Sequence, residues 1–235
     1  MHPTGIYRSA DGRVPSSRPS RVSARSRSIP DPLPAPGTVP VADDLSAQRE
    51  AFARRRFLAM PLAGALAWTA AGIAGAVLPL AGAVWALFIT TGAIAYLGIG
   101  LSRFTGEHFM DRSRPRNPFD ALFFSTVAMA LLVYAIAIPF FMVEPTSLPL
   151  SVGILSGLMW LPTAWLIRHW IGAFHAIART VLVLAAWLAW PEARFVAVPA
   201  VIVAIYAVTI VVLERRWRQL GERDVVAPRV AVAGG

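Results

Sequence analysis

The chain contains no cysteine and no lysine. The first absence excludes disulfides and thiolate metal sites. The second makes all 22 basic residues arginine. Charge of either sign is sparse, at 15% of residues, where a soluble domain carries about 25%. The more telling absence is local. From Phe57 to Ser102, 46 consecutive residues include no Arg, Asp or Glu. Apolar runs of that length exclude an ordinary soluble enzyme and indicate membrane helices. Hydrophobic residues accordingly make up 56% of the 235-residue chain.

Catalytic signatures are missing as well. There is no H-E-x-x-H, no paired-carboxylate motif, and no Walker or Rossmann glycine pattern, so these templates supply no metal or nucleotide site. Gly153-Ile154-Leu155-Ser156-Gly157 approaches the rhomboid serine-protease motif, but Ile154 stands where that motif needs glycine. The last apolar run has no His to serve as base. His108, His169 and His175 match no metal spacing. No catalytic residue, metal ligand or cofactor is assigned.

What is present is a set of apolar blocks. A helix rises ~1.5 Å per residue, so ~20 residues cross a ~30 Å hydrocarbon layer. The 46-residue block must therefore fold back on itself, and Leu78-Pro79-Leu80-Ala81-Gly82 is the natural break. Six spans follow, at about 57–78, 81–102, 119–142, 150–167, 171–190 and 195–213. The fifth contains Arg179 and is the least regular. The expected fold is an all-α polytopic membrane bundle.

Arginine placement orients it. Arg54, Arg55 and Arg56 precede the first span; Arg103, Arg112, Arg114 and Arg116 follow the second; Arg168 follows the fourth; Arg215, Arg216, Arg218, Arg223 and Arg229 follow the sixth. The alternate connections hold Arg194 alone. Positive residues stay inside, which predicts cytoplasmic N and C termini. The net charge of +9 thus reflects topology, and a nucleic-acid partner is not expected. Arginine without lysine, with abundant alanine, is the composition of a GC-rich bacterium, and the expected location is the cytoplasmic (inner) membrane.

Residues 1–40 hold eight prolines, seven serines and six arginines. Such a segment cannot bury enough apolar surface to order itself. It reads as a disordered tail, with two alternatives: a gene start placed too early, the true one near Val39 or Val41, or a targeting segment. Residues 41–56 read as a cytoplasmic amphipathic helix, with Asp43 or Asp44 as cap and Leu45 and Phe52 on one face. Its Arg49, Arg54, Arg55 and Arg56 face either anionic headgroups or simply the inner side. Residues 214–235 form a cytoplasmic tail.

Within the spans, Ala63, Ala67, Ala71 and Gly75 recur every fourth position, and Gly153 and Gly157 form a G-x-x-x-G. Both are expected packing faces. Trp165, Trp170, Trp187 and Trp190 suit the two interfaces, while Trp68, Trp85 and Trp160 are expected to pack. Pro162 is expected to kink span four.

Arg179 lies ~16 Å from the end of span five if that span ends at Trp190. Burying an arginine there costs at least ~2.5 kcal/mol on insertion scales. Two readings stay open. Either Arg179 snorkels to the inner interface, or it faces the bundle with a partner. In the second case His175 is one turn earlier on the same face, and the candidate carboxylates are Asp120, Glu107 and Asp111. Asn117 is expected to cap a helix that starts at Pro118, with Asp120 complementing its positive end. Arg112, Arg114, Arg116 and Arg168 are candidate anion or lipid-headgroup contacts.

Asn117-Pro118 opening a helix, then Leu161-Pro162-Thr163-Ala164-Trp165-Leu166 before a basic turn, resembles an uncharacterised family of small multi-pass bacterial integral membrane proteins, a domain of unknown function. The resemblance covers about residues 42–215. It implies a multi-pass fold and carries over no activity or site. Two functional readings are open. One is a small-solute transporter or permease-like protein with Arg179 and His175 at its lumen. The other is a non-catalytic assembly protein whose Arg-rich face binds lipid or protein.

Overall fold

The computed structural model describes residues 41–111 and 117–233, with side chains from 44 to 222. Residues 1–40, with the tail readings above, and Arg112, Arg114 and Arg116 lie outside the described residues. The described chain is helical, with no strand. A short helix α1 (Val41–Ala53) precedes α2 (Ala59–Val77), α3 (Leu80–Gly92) and α4 (Ile94–Phe104). Then come α5 (Pro118–Leu132), α6 (Tyr134–Val143), α7 (Leu148–Gly157), α8 (Trp160–Ile167), α9 (Trp170–Ala189) and α10 (Arg194–Ala233).

By length and composition, Ala59–Val77, Pro118–Val143, Pro145–Ile167, Trp170–Ala189 and Pro191–Glu222 could each cross a membrane. The pair α3–α4, bent by 48°, supplies a sixth. This is the expected membrane helix bundle of about six spans. The breaks have local causes. Pro79 takes the position before α3 and turns the first charge-free block back on itself. Pro162 cannot bond the Leu158 carbonyl; that carbonyl accepts instead from Leu161 N at 3.0 Å, between α7 and α8. The last helix continues past the apolar run as one 40-residue rod.

The small-residue stripe packs as its composition dictates. Ala63, Ala67 and Ala71 are at most 2% exposed, in a helix that packs on α3, α4 and α10. Without side chains to hold the helices apart, the backbones approach closely: a Cβ on Gly75 would strike the Phe195 carbonyl. Opposite lie Val198, Ile202, Tyr206 and Leu213 of α10, all buried. Trp68 and Trp160 are buried, but Trp85 is 68% exposed and stands on the outer surface. It is not a packing residue, because α3 buries only the face carrying Ala83, Val84, Leu87 and Thr91.

Both flanks of the bundle meet at one end. Arg56 forms a bidentate pair with Glu214, at 2.9 and 3.0 Å. Arg216 donates to the carbonyls of Ala53 and Ile167. Arg55 pairs with Asp120, and Asn117 Nδ2 donates to Gln48 O at 2.7 Å. Arg49 lies over the Trp165 ring, 3.7 Å from its centroid. The helix before the membrane is thus stitched across the bundle end. Its arginines bond protein where headgroup contacts were one expectation. Phe52 is 1% exposed, packed on Phe57, Phe119 and Phe123. Leu45, two turns earlier in α1, is 45% exposed, so the packing on that face does not extend to it. Asp44 lies inside the helix and accepts from Gln48 instead of capping.

Glu107 also serves the architecture. It is 8% exposed and accepts from Leu58 N and Ala59 N, both at 2.7 Å. These amides open α2 and have no helical acceptor. Burial raises the Glu107 pKa above the ordinary carboxylate value, against the lowering effect of the two amides. A raised folded-state value means that this group's contribution to stability is full below the ordinary value and declines as pH climbs through the folded one. Glu107→Ala should cost about 1–3 kcal/mol, read as a lower thermal midpoint in detergent. Glu107→Gln keeps an acceptor, should cost less, and should flatten that decline with pH.

Candidate functional site

α9 carries Trp170 and Ala189 at its ends, with Arg179 midway between them. Each end is then ~15 Å away along the axis. Arg179 is 1% exposed. It faces the bundle and does not snorkel, which closes the alternative that left it at the interface. A charge held in such a place must find oxygen atoms, and it finds three. Nε donates to Gly153 O at 2.6 Å, Nη2 to Ser156 Oγ at 3.0 Å, and Nη1 to Tyr206 Oη at 3.2 Å. The guanidinium carbon lies 5.3 Å from the Trp68 ring centroid and 5.5 Å from that of Tyr206, where the ring quadrupoles favour a cation.

Room for this side chain comes from Gly157, the second glycine of the G-x-x-x-G of α7. A Cβ on Gly157 would sit 2.7 Å from Arg179 Cδ. The motif is therefore a cradle for an arginine as well as a packing face. Its Gly153 supplies the carbonyl and the intervening Ser156 the hydroxyl.

His175, one turn before Arg179, is fully buried. Thr209 Oγ1 donates to Ile205 O at 2.8 Å. The 2.8 Å contact between His175 Nδ1 and Thr209 Oγ1 must then be donated by the histidine. Nε2 has no partner. The ring stacks on Trp160, with centroids 4.4 Å apart, and meets Tyr206 edge-on at 4.7 Å.

The proposed carboxylate partners are elsewhere. Asp120 is paired with Arg55, and Glu107 caps α2. Asn117 caps α5 as expected, accepting from Phe119 N at 2.9 Å. Among the described residues, Arg179 has no carboxylate partner, and all three of its acceptors are neutral. The guanidinium has five N–H groups, so Nη1 and Nη2 each retain one. Arg168 stands apart, exposed in the turn between α8 and α9.

Two of the three acceptors also line a cavity of about 40 Å³. Ser156 and Tyr206 form part of its wall, with Thr91 and Tyr134 opposite, whose hydroxyls are 2.5 Å apart. A site this size holds a few waters or one small ion. Ser156, Tyr206, Thr209 and Trp160 were not singled out as site residues by sequence reasoning. A usable signal did exist: Ser156 lies within the glycine motif, and Tyr206 and Thr209 are three apart on one face of the last span.

A model of a family of unknown function, DUF7010, matches residues 46–216. The chain belongs to this family. The matched region runs from α1 to the arginine that ties α10 to α1, and it includes every residue of the Arg179 cluster. No curated protein and no solved structure gives a significant match.

The cradle generates a direct test. Gly157→Ala should lower the thermal midpoint and disturb Arg179, because Cδ is hemmed in by its own bonds. Gly100→Ala in α4, where nothing lies within 4 Å of the added atom, should leave the midpoint unchanged or raise it, by up to about 1 kcal/mol of helix propensity.

Proposed function

We propose that this is a permease-like protein of the bacterial cytoplasmic membrane that passes a small anionic solute, with Arg179 as its attraction point. One observation carries this reading: a guanidinium at mid-bundle is solvated by three neutral oxygens and two aromatic faces, with no carboxylate. Its charge is screened little in a low-dielectric interior. Of the hydroxyls lining the adjoining cavity, Ser156 donates to Val152 O and Thr91 to Leu87 O, while Tyr206 accepts from Arg179 and retains its own proton for an anion. The conformation described is closed. Passage requires an opening step, for which the 48° break between α3 and α4 and the proline in α6 are the flexible points.

The orientation rests on arginine. The Arg-rich flanks and turns share one end of the bundle, and we place that end in the cytoplasm. The assembly reading is weaker, because most arginines that such a role would present are bonded within the chain. Arg55, Arg56 and Arg216 all have protein partners.

A fluorescent-protein fusion at the C terminus should fluoresce, and an alkaline phosphatase fusion there should be inactive; an active phosphatase would reverse the orientation. In proteoliposomes, the purified chain should pass chloride or nitrate faster than protein-free vesicles. Ser156→Ala and Tyr206→Phe should each reduce the rate about tenfold, as expected for one lost bond to a charged group, with the fold retained by thermal midpoint. Rates equal to empty vesicles across a panel of small anions would end the permease reading.

A further inference from the structure

The Arg-rich end of the bundle carries a feature that the permease reading does not use. A crevice of about 510 Å³ opens between the end of α1, the α8–α9 turn and α10. That volume lies within the ~300–1,000 Å³ range of small-molecule sites. Its polar wall consists of Glu50, Arg54, Arg168, His169, Arg216 and Gln219; Ala53, Ile167 and Leu220 supply an apolar floor. Three arginines face one carboxylate, and that carboxylate is already paired with Arg54 at 3.1 Å.

The remaining groups are donors. His169 Nδ1 accepts from Ile171 N at 3.2 Å and caps α9. Its other nitrogen therefore carries the proton and can donate. Burial, and next Arg216, lowers the His169 pKa, which favours this neutral form. Arg216 is anchored through Nη2 on the carbonyls of Ala53 and Ile167; its Nη1 is buried and, among the described residues, has no partner, so a ligand reaches it only by a small shift of the side chain.

Arg168 supplies an independent observation. It ends α8 in the left-handed conformation, at φ 50°. Its N–H bonds Trp165 O, and His169 N bonds Ala164 O. Glycine is the ordinary residue at this position. A side chain there costs about 1–2 kcal/mol. Phe57 and His108 share the left-handed region; Arg168 is the one of the three that sets an exposed arginine at the mouth of a basic crevice. Trp165 and Trp170, each more than half exposed, flank the turn. Exposed tryptophans of this kind mark headgroup depth, the layer where lipid phosphates lie.

We propose that this crevice is a phosphate-binding site, built to receive the headgroup phosphate of an anionic phospholipid from the inner leaflet. Guanidinium forks match phosphate oxygens bidentately. The apolar floor of Ala53, Ile167 and Leu220 suits the glycerol and upper acyl chain.

Native mass spectrometry and thermal shift of the full chain in dodecyl maltoside test this, with dioleoyl phosphatidylglycerol, dioleoyl phosphatidylcholine and inorganic phosphate as probes. One phosphatidylglycerol should be retained per chain, at least tenfold more tightly than phosphatidylcholine. Arg168→Gly should weaken that binding about tenfold or more, as for a lost charge-assisted bond. The same substitution should raise the lipid-free thermal midpoint, because it relieves the left-handed strain; a purely structural Arg168 would lower it. Gln219→Glu should also weaken binding, by placing a like charge against the phosphate. Arg215→Gln, exposed on α10 and outside the crevice, should leave it unchanged. If inorganic phosphate displaces the lipid at equal affinity, the site stands and its natural ligand is soluble. Phosphatidylcholine binding as well as phosphatidylglycerol would overturn the proposal. So would an Arg215→Gln loss equal to that of Arg168→Gly, since the effect would then be diffuse charge.

Discussion

A guanidinium held halfway along a membrane helix has to be surrounded by oxygen atoms and ring faces, because hydrocarbon offers neither. The centre of this bundle is arranged around that demand. Arg179 projects from α9 toward α7, where Gly157 leaves the space that its side chain fills. The Gly153 carbonyl and Ser156 hydroxyl come from that helix, and the Tyr206 hydroxyl and ring come from α10. Trp68 of α2 closes the remaining side. Four helices are therefore fixed in register by one side chain. The close approach of α2 and α10 at Gly64 and Gly75 brings Trp68 and Tyr206 within reach of it. Replacing the arginine by a neutral residue would leave three buried oxygens short of a donor, so the cluster stands or falls as a unit.

At the Arg-rich end the same residue type works differently. Arg55, Arg56 and Arg216 tie the pre-membrane helix and the last helix into one cap. These contacts are partly exposed and individually worth little. They set how α1 lies across the bundle end, which in turn forms one wall of the basic crevice. Another such device lies at the opposite end. There Arg194 stacks on Trp187 at 3.7 Å and donates to Thr146, and Thr146 also holds Glu144. The hydroxyl and then the amide of Thr146 keep the exposed Glu144 carboxyl below its ordinary pKa.

Much of the architecture was legible because a bilayer imposes simple rules. Charge-free length gave the spans, Pro79 gave the reversal, and small residues at every fourth position gave the α2 face. The Asn117-Pro118 start was equally readable, since capping depends on local chemistry alone. Arg179 announced itself as the one arginine deep in an apolar run. Its partners did not, because they are neutral residues from helices distant in sequence. A search for opposite charge pointed to Asp120 and Glu107, which serve Arg55 and the α2 amides instead. Trp85 misled for a related reason: hydropathy cannot distinguish a lipid-facing tryptophan from a packed one. The strain at Arg168 was hidden because only backbone geometry reveals it.

The central claim is that Arg179 is held inside the bundle and away from the headgroups. Solid-state NMR dephasing between the arginine guanidinium carbon and lipid phosphorus tests it most directly. The sample is labelled chain in bilayers, with the Arg179 signal assigned by its loss in Arg179→Lys. The account predicts no phosphorus dephasing for Arg179, alongside clear dephasing for arginines at the Arg-rich end. Dephasing of Arg179 as strong as theirs would show that it reaches the headgroups, and would contradict the account.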